Sequence, residues 1–189
     1  MNQILFGFIV SVTFFLMGCG GTVANNPPEK VHTVPEITSA EAKRMLNKLS
    51  KGLDVRYDDM LEKTYYSCPP PDEHPLYFIP YVVVDNRFNV SLGLQIFSIS
   101  RYPLFFDTLY IKSENKLSTF DLGSRASSYN ELMERGIYQS LKEAIDDGYL
   151  KFRVTGNDIG ERELTAEELA QVDEVFAIYE YFSKVNVTN

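Results

Sequence analysis

Between Ser67 and Pro75 the chain reads SCPPPDEHP, the one place where a thiol, an imidazole and carboxylates crowd together: Cys68, Asp72, Glu73 and His74. Those residue types belong to two chemistries. A nucleophilic cysteine needs a base and an orienting group held in fixed geometry, and a zinc site usually takes four well-spaced ligands. One cysteine and one histidine on a proline-stiffened loop meet neither requirement. The spacing therefore assigns no catalytic residue, no cofactor-binding residue and no metal ligand. Cys68 is expected to be buried as a small hydrophobe, the alternative being a thiol free for an intermolecular bond. His32, the other histidine, falls in a polar stretch and is expected in solvent.

The remaining charged groups point to no reaction either. Asp146 and Asp147 stand at the C-terminal end of an expected helix, where the macrodipole is negative and each acid costs about 0.3–1 kcal/mol. A cation or a basic partner would compensate, and a screened pair facing solvent is the plainer expectation. Lys151 and Arg153 are expected on the polar face of a strand, paired with local acids. No Gly-rich phosphate loop, GxSxG elbow or HExxH helix occurs. Nucleic-acid binding normally leaves a basic patch or stripe, whereas 18 Lys and Arg are scattered here among 26 Asp and Glu for a net charge of −8. Nucleic acid is excluded as a partner on that ground. The 13 Phe and 12 Tyr favour a β-rich core, and a surface that stacks on sugar or peptide is the sharper alternative, weakened by the absence of Trp.

Met1 to Leu16 is almost wholly apolar and free of charged side chains. Its apolar run from Ile4 is too short for a permanent membrane helix, which needs about 20 residues, and fits the hydrophobic region of a signal peptide. It ends in Leu16-Met17-Gly18-Cys19, which resembles the lipobox of bacterial lipoproteins. That resemblance implies cleavage before Cys19, lipid attachment (palmitate among the acyl chains) to the Cys19 thiol and a membrane-anchored place in the cell envelope. Asn2 and Gln3 leave the α-amino group as the only positive charge of the leader. The alternatives are an uncleaved anchor or an ordinary signal peptide that happens to contain a cysteine. With Cys19 acylated, Cys68 has no partner within the mature chain. Gly20 rather than Asp after the cysteine implies the outer membrane if the source is diderm.

Behind the lipobox the organisation reads as a signal peptide at 1–18, a lipidated tether at 19–38 and one domain at 39–189, a length that suffices for a real hydrophobic core. The tether holds Gly and Pro without an apolar period and would span on the order of 25 Å. Ser39 precedes a helix carrying Ala42, Met45, Leu46 and Leu49 at helical spacing, with Gly52 as its stop. Asp54 to Ser67 is expected to form a helical turn through Leu61 and then a short strand over Thr64 to Ser67. Leu76 to Val84 and Phe88 to about Ser100 form a hairpin, Pro80 requiring an edge, a strand end or a bulge. The apolar parity slips after Ile96, which predicts a bulge there. Phe105 to Lys112 and Leu117 to Leu122 add a second hairpin to the same antiparallel sheet. Ile137, Leu141, Ala144 and Ile145 mark a helix ended by Gly148, and Leu150, Phe152 and Val154 alternate in a strand. Thr165 and Glu168 make a capping box for a last helix whose apolar face carries Leu169, Val172, Val175, Phe176 and Tyr179.

Strands in clusters with helices before, between and after them predict an α+β fold, a mainly antiparallel sheet packed with amphipathic helices including a C-terminal one. In pattern, residues Leu76 to Tyr181 resemble uncharacterised bacterial secreted domains, a likeness that implies no activity. The expectation for function is a non-catalytic membrane-anchored lipoprotein whose domain binds, supports or inhibits another protein. Two alternatives stand beside it: a surface-tethered hydrolase, which would require two carboxylates converging in a pocket, and an immunity-type lipoprotein that blocks a toxin.

Overall fold

The structure, a computed structural model, describes residues 34–70, 75–99, 105–125, 128–133 and 135–188. The chain runs through β1 (Glu36–Thr38), α1 (Ser39–Leu49), β2 (Asp54–Asp58), β3 (Lys63–Ser67), β4 (Leu76–Asp85), β5 (Val90–Ser98), β6 (Phe106–Lys112) and β7 (Leu117–Arg125). It continues through β8 (Ser128–Leu132), α2 (Arg135–Asp146), β9 (Lys151–Gly156), β10 (Ile159–Glu163), α3 (Ala166–Phe182) and β11 (Asn186–Thr188). Two antiparallel sheets result, one of five strands in the order β2-β3-β4-β5-β8 and one of four in the order β10-β9-β6-β7. The fold is α+β, as its element pattern predicts.

Alternation decides which side chains enter the core. Along β4 and β5, Phe78, Val82, Val84, Leu92, Leu94 and Ile96 point to the face covered by α3, and Leu169, Val172, Val175 and Phe176 of that helix are buried in return. In the smaller sheet Leu109, Ile111, Phe152 and Val154 do the same, with Leu141 and Ala144 of α2 buried in the same cluster. The sheets meet where the rings of Phe78 and Phe152 stack, centroids 4.5 Å apart. Phe176 has no exposed surface, and truncating such a ring to Ala costs about 3–5 kcal/mol.

Both capped helices begin with a Thr three residues before a Glu. Thr165 Oγ1 accepts the Glu168 N–H at 3.2 Å while the Glu168 carboxylate accepts the Thr165 N–H at 2.8 Å. The same box opens α1 between Thr38 and Glu41, at 3.3 and 2.9 Å, so its cap is Thr38 rather than Ser39. Spacing to the glutamate fixes the choice. After α2, Gly148 adopts φ +71°, which lets its N–H reach the Ile145 carbonyl and that of Tyr149 reach Ala144.

Several expectations fail for identifiable reasons. Asp54 to Asp58 is a strand, not a helical turn, because Val55 and Tyr57 alternate with Asp54, Arg56 and Asp58 at period two. β4 and β5 pair without interruption from Leu76↔Ser98 to Val84↔Val90, so there is no bulge at Ile96. Phe97 lies on the opposite face and stacks on Tyr77 at 4.5 Å, making both faces of the sheet apolar there. The register shift occurs instead between Phe106 and Thr108, where β6 passes so close to Gly156 that a Cβ would lie 1.4 Å from the Phe105 carbonyl oxygen. β6 and β7 join β9 in the second sheet rather than extending the first. Glu36–Thr38, expected as the end of the tether, pairs in parallel with β11.

Pro80 sits in the middle of β4 without breaking the sheet. Asp85 N–H donates to Asn89 O at 3.1 Å and Ile99 N–H to Pro75 O at 2.9 Å, so odd-numbered residues of β4 bond to β5 and even-numbered ones face β3. The β3 ladder ends at Ser67↔Tyr81, so the nitrogen of Pro80 faces the side where no paired strand remains.

Candidate functional site

Of the residues singled out in the sequence, Cys19, His32, Asp72, Glu73 and His74 lie outside the described residues. Cys68 follows β3 and is buried, bordered by Pro69, Phe78, Leu164 and Val172. Burial pushes its thiol up to about 12, against a lowering backbone hydrogen bond and with added repulsion from Glu174 and Glu168. At neutral pH the nucleophilic thiolate is therefore scarce. Cys68 is placed as a core residue, in line with its expected burial.

The acids and bases of the two helices form one network. Lys142 Nζ lies 2.8 Å from Asp173, 3.6 Å from Asp146 and 3.9 Å from Glu180. Its hydrogen bond with Asp173 holds the ammonium above its ordinary range. Tyr138 Oη donates to Glu180 at 2.7 Å, and its phenol is raised by burial and then by that carboxylate. Lys142 thus supplies the compensation that Asp146 requires at the negative end of α2. On the outer face of the smaller sheet, Lys151 meets Glu161 at 2.5 Å and Arg153 pairs with the same carboxylate, as local pairing predicts. These two cations, with Tyr110, Lys112, Leu117 and Glu161, line an open concavity of about 330 Å³. Among the described residues no three His, Cys, Asp or Glu side chains gather as a metal site.

The hairpin of β2 and β3 differs from the rest of the surface. β2 forms one edge of the five-stranded sheet, and Val55, Tyr57, Met60 and Leu61 are 56, 62, 90 and 56% exposed. Four large apolar side chains within seven residues are more than the scattered exposure normal for a monomer. The hairpin is also held in place. Asp58 Oδ1 accepts the N–H groups of Met60 and Leu61, both at 3.1 Å, Glu62 takes φ +51°, and Asn86 Nδ2 donates to Glu62 at 2.7 Å. The apolar tip is therefore tied to the β4–β5 turn. Between Asp54 and Lys63 stand four acids (Asp54, Asp58, Asp59, Glu62) and two bases (Arg56, Lys63), so the rim is net acidic.

Sequence reasoning placed a strand over Thr64 to Ser67, which is β3, but missed β2, although the alternation DVRYD was a signal for it. Val55 and Tyr57 have the period of a half-buried strand, yet both side chains are exposed. The chain matches no family model, no curated protein and no solved structure.

Proposed function

We propose that this protein is a non-catalytic envelope lipoprotein, tethered to the membrane through lipid on Cys19, whose folded domain docks a protein partner on the β2–β3 hairpin. The exposed apolar side chains of that hairpin, held on a fixed turn, carry the reading. A rigid apolar patch loses little freedom on binding, which favours association over chance exposure. The acidic rim favours a partner whose contact surface is apolar and bordered by basic groups. The Leu16-Met17-Gly18-Cys19 lipobox supports the anchor.

Hydrolysis by paired carboxylates has less support. The acids that converge, Asp146, Asp173 and Glu180, are gathered on Lys142, and the single carboxylate of the 330 Å³ concavity, Glu161, is engaged by Lys151 and Arg153. Blocking a toxin is one form that docking could take, and the identity of the bound protein decides it.

Metabolic labelling with a fatty acid tests the anchor. The wild-type protein incorporates label and sediments with membranes, and Cys19→Ala does neither and keeps its first 18 residues. A wild-type chain that is unlabelled, or cut at a bond other than that before Cys19, overturns the lipoprotein reading.

A further inference from the structure

An antiparallel sheet directs the backbone groups of successive residues to alternate sides, and that rule can be carried across the five-stranded sheet to its edge. Even-numbered residues of β4 face β3, so Tyr66 and Thr64, opposite Val82 and Val84, direct their N–H and C=O groups to β4. The odd-numbered residues Lys63, Tyr65 and Ser67 then bond to Asp58, Arg56 and Asp54 of β2. Val55 and Tyr57 are left with their backbone groups pointing away from the sheet.

Proteins usually blunt such an edge with charged side chains, proline, a bulge or a covering element. In the other sheet one edge strand, β7, turns irregular at Gly123 and Ser124, with φ of +63° and +54°, while the other, β10, pairs with β9 in five unbroken steps and lies beside β4. Among the described residues β2 has no proline, bulge or covering element, only the charges of Asp54, Arg56 and Asp58; it pairs with β3 in five unbroken steps, and Asp54 to Tyr57 are exposed. The apolar side chains of Val55 and Tyr57 flank the open backbone groups, while Asp54, Arg56 and Asp58 alternate with them on the opposite face.

We propose that the partner binds as an added β-strand along β2, hydrogen-bonded to the backbone of Val55 and Tyr57, with the side-chain pattern basic–apolar–acidic–apolar–basic set opposite Asp54 to Asp58. The inference rests on the docking reading above and names the partner's chemistry. Cross-strand pairs supply the selection: opposite charges attract, like charges repel and apolar residues pack. The pattern reads the same in both directions, so it holds for parallel or antiparallel addition. It also discriminates against a second copy of this chain, since in-register pairing sets Asp54 and Asp58 against acids and Arg56 against Arg56. A slip of two residues pairs Arg56 with the copy's Asp58 but leaves only residues 56–58 of β2 opposed.

The test uses the full-length protein in detergent and a capped synthetic peptide with Lys-Ile-Glu-Ile-Lys at its centre, beside a scrambled control. Saturating peptide slows amide exchange at Val55 and Tyr57 by at least about tenfold while Arg56, already bonded to β3, changes little. Val55→Pro removes one outward N–H without touching the β3 ladder and weakens the peptide about tenfold, the loss expected for one backbone bond and the blocked edge. Arg56→Glu weakens it about fivefold, and a peptide with Lys at its centre restores binding. Absence of binding at millimolar peptide, equal binding of the scrambled peptide, or a peptide-free dimer that protects the same amides overturns the proposal. Should Met60→Asp with Leu61→Asp abolish binding while Val55→Pro leaves it unchanged, strand addition is wrong and docking on the hairpin survives.

Discussion

The ring of Tyr81 lies over the backbone of Gly93 on the neighbouring strand, so close that a Cβ added to the glycine would fall 2.2 Å from Tyr81 Cζ. The contact belongs to an aromatic cover on the outer face of the large sheet, where Tyr65 neighbours Tyr81 at 6.2 Å and Tyr77 stacks on Phe97. Part of the chain's aromatic content therefore packs outside the principal core. Gly93→Ala displaces the Tyr81 ring and costs about 1–3 kcal/mol, the usual range for overpacking. In a Tyr81→Ala background the same change is close to neutral, giving a coupling of at least about 1 kcal/mol in a denaturant double-mutant cycle. Additive effects would show that the ring does not depend on the glycine.

The capping carboxylate of α3 has a second task. Glu168 also pairs with Arg162, whose side chain is only 8% exposed. Thr165→Ala loses the cap and costs about 1 kcal/mol. Glu168→Ala loses the cap and strands a buried guanidinium, costing about 3 kcal/mol or more. Chemical denaturation that ranks the two variants equally would remove Arg162 from the account.

Cys68 makes stability depend on alkaline pH. Its thiol titrates near 9.0 ordinarily and is pushed up to about 12 by burial in the fold. Between those values the unfolded chain gives up the proton first, so stability is fully present below pH 9 and declines as pH rises toward 12. The slope from this group approaches about 1.4 kcal/mol per pH unit. Buried Tyr66 and half-buried Tyr81 are raised as well by desolvation and add the same sign in both proteins. Cys68→Ala therefore gives a flatter profile above pH 9 than wild type, whatever its midpoint at neutral pH. Parallel profiles for the two proteins would contradict a buried, protonated thiol.

The parts of the fold that were legible carry their signal locally. Thr165 and Glu168 are three residues apart and announce α3 without reference to anything distant, and Gly148 does the same for the end of α2. Phe97 misled because a parity argument assumes one polar face, and Tyr77 makes that face apolar from another strand. β1 and β11 join Ile37 to Val187, a pairing that no local pattern announces. The burial of Cys68 followed from its type, since an unpaired cysteine behaves as a small hydrophobe. The exposure of the β2–β3 hairpin was not legible, because Val55 and Tyr57 have the spacing of buried residues and face solvent.

Docking on the hairpin is the central claim, and position-specific photo-crosslinking in cells that make the native chain tests it most directly. A photoreactive residue replaces Met60 at the tip or Ile159 on β10, which is 67% exposed and belongs to the other sheet. The account predicts one discrete protein adduct from position 60, lost when Tyr57→Asp is added, and none from position 159. Equal adducts from both positions, or an adduct from 159 alone, would contradict it.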